Sequence, residues 1–83
     1  MSATILYQAV KGRALSIGAP SSFLAMLGRV LQRDPPWVLA DGTDALRLRI
    51  AADITDDAEW HAALERLVDA IEEHGTIRVW AEY

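Results

Sequence analysis

From Thr4 to Val10 β-branched and aromatic residues alternate loosely with others, Lys11-Gly12 supplies a tight turn, and Arg13 to Gly18 resumes with Leu15 and Ile17 on one face. That pattern predicts a β-hairpin. Pro20-Ser21-Ser22 then opens a helix, because Ser caps orphan backbone N–H groups and Pro is tolerated in the first turn. Phe23, Met26, Leu27, Val30 and Leu31 recur at threes and fours and carry the helix to about Arg33. Gly28 inside it costs roughly 1 kcal/mol relative to Ala, which suggests a close packing contact there.

Asp34-Pro35-Pro36 ends the helix, since the residue before proline is pushed out of the α region. Trp37 to Ala40 reads as a short strand and Asp41-Gly42 as a turn. Ala45 to Ala52 reads as a strand of clean period 2, with Leu46, Leu48 and Ile50 on one face and Arg47 and Arg49 on the other. A second helix follows, capped by Thr55 or Asp56, with Asp57 and Glu59 in the first turn where the macrodipole favours them. Its buried stripe is Trp60, Leu64, Leu67, Val68 and Ile71, and His74-Gly75 closes it. Thr76 to Tyr83 alternates again, Ile77, Val79 and Ala81 opposing Arg78, Trp80 and Glu82.

The predicted order is ββαββαβ. Without its first strand this is the split βαβ of a ferredoxin-like two-layer sandwich, with two helices on one face of an antiparallel sheet. A plain ββα repeat with another strand order is the rival. Leu64, Leu67, Trp60, Leu48 and Phe23 are the expected core.

Eighty-three residues, 52% of them hydrophobic and 24% charged, make one folded domain, 1–83, with a modest core. The absence of cysteine excludes a disulfide framework, a thiolate nucleophile and a Cys-based zinc site. Neither a secretory signal nor a run of 18 apolar residues is evident, so a soluble, cytoplasmic setting is expected.

Charge is unevenly spread. The first 33 residues hold Lys11, Arg13, Arg29 and Arg33 and no acid, whereas residues 34 to 83 hold four arginines against twelve acids. Such polarity points to partners or self-association, and the net charge of −4 argues against general affinity for duplex DNA or anionic lipid.

Two surfaces qualify as partner-binding. On the ferredoxin-like arrangement the open sheet face presents Arg47, Arg49, Arg78 and Trp80, residue types enriched at interface hot spots. The RNA-recognition motif uses that face with aromatic-rich strands, which this chain lacks. The predicted second helix bears Asp57, His61, Glu65, Asp69, Glu72 and Glu73 along its exposed side, carboxylates spaced roughly as phosphates on one strand. The alternative for the sheet face is that Arg stems and Trp80 merely cover a solvated surface or are covered by the added N-terminal segment, and the stronger alternative for the ridge is an ordinary solvated acidic helix face.

Asp57, His61 and Glu65 at i, i+4, i+8 have a donor set suited to a divalent metal, yet no His-Glu-x-x-His pattern accompanies them. Ser16, Ser21 and Ser22 lack an elbow motif, and the glycines are scattered singly, so neither a catalytic site nor a phosphate-cradling loop is expected. No cofactor or metal is implied. The reading that results is a non-catalytic protein-interaction module of bacterial or phage type. It would be a small acidic inhibitor or immunity-type protein, similar in size and acidity to anti-CRISPR proteins, that blocks a nucleic-acid-processing or defence complex. The alternative is a ferredoxin-like regulatory or ligand-binding domain that dimerises through its sheet, burying Trp80.

Overall fold

A computed structural model describes the backbone of residues 2–9 and 14–82 and the side chains of residues 22–80. Strands β1 (Ser2–Ala9) and β2 (Ala14–Pro20) form the expected antiparallel hairpin, Ile5 lying across from Ile17. The expected Lys11-Gly12 turn lies outside the described residues.

Helix α1 (Ser21–Leu31) buries Phe23, Leu24, Leu27 and Leu31, with Met26 and Val30 at the margin. It ends before the prolines. Gln32 takes a positive φ of 58°, and the Arg33 N–H reaches back to the Gly28 carbonyl at 3.2 Å, closing the last turn as a Schellman motif does. The close packing expected at Gly28 is not found among the described residues, where the nearest atom to a Cβ there would be the Arg33 carbonyl oxygen at 3.7 Å.

Strand β3 (Trp37–Ala40) buries Trp37 and Leu39 and exposes Val38 and Ala40. The indole of Trp37 donates to the Arg33 carbonyl at 2.9 Å, which ties the strand to the loop before it.

Residues Thr43–Ile54 form a helix, α2, and not a strand spanning Ala45 to Ala52. Ala45, Leu48, Ala51 and Ala52 face the core, while Leu46, Ile50 and Ile54, at i, i+4, i+8, form a second apolar row on the outside. Overlaying these two rows on a helix reproduces the alternation of a strand. Seven of the eight residues from Ala45 to Ala52 are Ala, Leu or Arg, which favour helix, and only Ile50 is β-branched. The Leu46 N–H bonds the Gly42 carbonyl at 2.9 Å to start the helix, and Asp44 sits in its first turn.

Thr55 to Asp57 link α2 to α3 (Ala58–His74), so the two make an αα-hairpin. The cap of α3 is Asp57, not Thr55 or Asp56: its carboxylate accepts from the Glu59 and Trp60 N–H groups at 2.9 and 3.2 Å. Thr55 instead caps the end of α2. Gly75, at φ 82°, closes α3 through a 2.7 Å bond to the Ile71 carbonyl, as expected.

Strand β4 (Thr76–Glu82) pairs antiparallel with both β1 and β3. Among the described residues the sheet order is β2-β1-β4-β3 and the element order ββαβααβ. The ferredoxin-like assignment is therefore wrong. The predicted order ββαββαβ needs a strand between the third strand and the last helix, and here that segment is a helix, so the described residues hold three helices and the second βαβ half of the split arrangement does not exist.

One core joins the elements. Phe23, Leu27, Leu31, Trp37, Leu39, Leu48, Leu64, Leu67, Ile71, Ile77 and Val79 are fully buried in it. Leu48 is in the core as expected, although it gets there from a helix. Trp60 is only partly buried, edge-on to Phe23 at 6.1 Å between ring centres.

Candidate functional site: the outer face of α2

Moving Ala45–Ala52 from sheet to helix separates the residues expected on one cationic face. Arg78 and Trp80 do share the open side of the sheet with Val38, on β4 and β3. Arg47 and Arg49 do not join them. Arg47 donates to the Val30 carbonyl of α1 at 3.4 Å, and Arg49 forms an ion pair with Glu72 of α3. The two arginines thus diverge from one helix toward its two neighbours.

The expected acidic ridge on α3 is present in outline and partly neutralised from within the chain. Glu72 pairs with Arg49, and Glu65 lies 2.9 Å from Nε2 of His61. Asp57 is occupied as the helix cap, and Glu73 stands 3.9 Å from His74. Asp69, Glu65 and Asp53 line a cleft of about 350 Å³ between α2 and α3, with Arg49 at its side. Evenly spaced free carboxylates, the feature that would imitate a nucleic-acid strand, are thus reduced by these partners.

His61 has both ring nitrogens engaged, Nδ1 with the Ala52 carbonyl at 2.8 Å and Nε2 with Glu65. The Ala52 carbonyl first, then the charge of Glu65, raise its pKa above the usual histidine value, against an opposing effect of burial. His61 therefore serves as an interhelical tie, and no group of metal-ligating side chains capable of holding an ion occurs among the described residues.

The surface that sequence reasoning missed is the outer row of α2. Leu46 is 55% exposed, Ile50 51% and Ile54 77%, and with Val38 on the sheet they are the large apolar side chains most open to solvent among those described. A groove of about 190 Å³ runs beside this row, between α2 and α1, lined by Val30, Arg47, Ile50, Ala51 and Ile54. Roughly 150 Å³ of apolar space accepts a benzene-sized group, so the groove has room for one large side chain. A surface helix normally keeps one apolar stripe for its own core. The i, i+4, i+8 spacing of Leu46, Ile50 and Ile54 was visible in the sequence, hidden only by the assignment of Leu46 and Ile50 to a strand.

No helix among the described residues is long and apolar enough to cross a membrane. No protein-family model, curated protein or solved structure matches the chain.

Proposed function

We propose that the chain is a non-catalytic protein-interaction module, an inhibitor or immunity-type protein that acts by occupying a macromolecular partner. The observation that carries this reading is the second apolar row of α2. Three large aliphatic side chains on one helix face stand outside the buried core of the described residues, each more than half exposed, and a contiguous exposed apolar patch is a mark of a docking surface. Arg47 at its margin adds a residue type favoured at hot spots. The segregation of acids into the second part of the chain supplies electrostatic orientation to an encounter, while the apolar row supplies affinity.

The test is affinity capture from cell extract with the native chain and with an Ile50→Glu, Ile54→Glu variant whose helical circular dichroism is unchanged. A protein recovered at near 1:1 by the native chain and lost with the variant is the expected result. Equal recovery by both would place the docking surface elsewhere, and recovery of no partner would remove the reading.

A further inference from the structure

The chemistry of the groove specifies its occupant. We infer that the α1–α2 groove takes an acidic amphipathic helix of a protein partner, an inference that rests on the reading of the chain as an interaction module. Three observations converge on that ligand. The row Leu46, Ile50, Ile54 is an i±4 ridge, and such a ridge packs best into the grooves between the side-chain rows of another helix. The groove walls are apolar: Val30, Ile50, Ala51 and Ile54, which suits an aliphatic or aromatic side chain from that helix.

The third observation is charge. Among the described residues Arg47 is the charged side chain of the groove lining, and no carboxylate of theirs lines it. Its 3.4 Å bond to the Val30 carbonyl uses one N–H of a guanidinium that has five, so a fork remains for a carboxylate. Arg29 lies exposed on α1, and residues 21 to 33 contain no acid. The carboxylates Asp53, Glu65 and Asp69 stand on the opposite flank of α2, around the α2–α3 cleft. Helix α2 thus divides a cationic apolar groove from an acidic cleft, and a partner helix with Asp or Glu beside its apolar stripe complements the former. A second copy of the chain offers no such element through α3, whose exposed residues include Glu59, Glu65, Asp69, Glu72 and Glu73 and no large aliphatic.

The experiment is selection from a displayed library of helical peptides of about 15 residues, roughly four turns, against the folded chain. The best peptide is then mapped by amide NMR. The expected binders carry apolar residues at i, i+4 with an excess of Asp and Glu, and they shift the amides of Val30 and of residues 46 to 54. Arg47→Glu should weaken them by about tenfold or more while leaving the amide spectrum of the core unchanged, and exchanging the peptide's acids for lysines should restore binding to that variant. Binders rich in Lys and Arg, binders mapped to the sheet or to α3, self-association through the same residues, or no binder at all would each overturn the inference. Should the captured partner still depend on Ile50 and Ile54 while the peptides fail, the acidic helix falls and the interaction module stands.

Discussion

The imidazole Nδ1 of His61 lies 2.8 Å from the carbonyl oxygen of Ala52, so that the first turns of α3 are fastened to the last turn of α2. A carbonyl only accepts, and the ionised Glu65 on Nε2 only accepts, so both bonds form together only when the ring carries both protons.

This arrangement predicts a pH dependence. The folded-state pKa of His61 is raised, so its contribution to stability is complete below the unfolded value of about 6.5 and is lost as pH rises through the higher folded value. In urea unfolding the native chain should therefore exceed His61→Gln by more at pH 6 than at pH 9. Glu65→Gln should move the NMR titration midpoint of His61 back toward 6.5. A His61 midpoint at or below 6.5 in the native chain would contradict the assignment.

The two faces of α2 make a sharp contrast between neighbouring leucines. Leu48 is fully buried and Leu46 exposed, whereas a strand would put them on the same side. Leu48→Asp should abolish cooperative unfolding, and Leu48→Ala should cost about 2 to 5 kcal/mol. Leu46→Asp and Ile50→Asp should change stability by no more than about 0.5 to 1 kcal/mol. Thermal denaturation of the four variants decides between helix and strand.

At Gly28 a methyl group has ordinary van der Waals room among the described residues, and the residue sits inside α1. Gly28→Ala should raise stability by about 0.5 to 1 kcal/mol through helix propensity and reduced freedom of the unfolded chain. A destabilised variant would show that close approach matters there after all.

Asp57 accepts two N–H bonds at the head of α3 and also sits where the helix dipole favours an anion. Asp57→Ala should cost about 1 kcal/mol, within a range of roughly 0.5 to 2, and Asp57→Asn less. Equilibrium denaturation at neutral pH reads the difference.

The hairpin, α1, β3, α3 and β4 were legible in the sequence because in each a single periodicity dominated. Pro35 and Gly75 marked ends that the structure keeps. The segment Ala45–Ala52 was misread because period 2 outweighed propensity: a helix carrying Leu48 inward and Leu46 and Ile50 outward imitates a strand, and the run of Ala, Leu and Arg was the contrary signal. Fold topology and candidate surface both turned on that segment. Once it became a helix, Arg47 and Arg49 left the sheet, and the strand that the second half of a split βαβ needs went with them. The cap at Asp57 was missed by one residue because Thr55, Asp56 and Asp57 all have capping side chains, and composition does not choose among them.

The pairing of β4 with both β1 and β3 bears on how the chain folds in time. Leu6 lies across from Trp80, and without Thr76–Glu82 the β1–β2 hairpin shares no backbone hydrogen-bond ladder with β3. Nearly the full length of the chain must loop round before the sheet's central ladder closes, and such distant pairings are met late because their closure entropy is lost before any contact compensates it. The local units, the hairpin and the α2–α3 pair, can form early and wait. On a ribosome that wait lasts until β4 emerges, and during it the rows of Leu48 and of Leu46, Ile50 and Ile54 are exposed together.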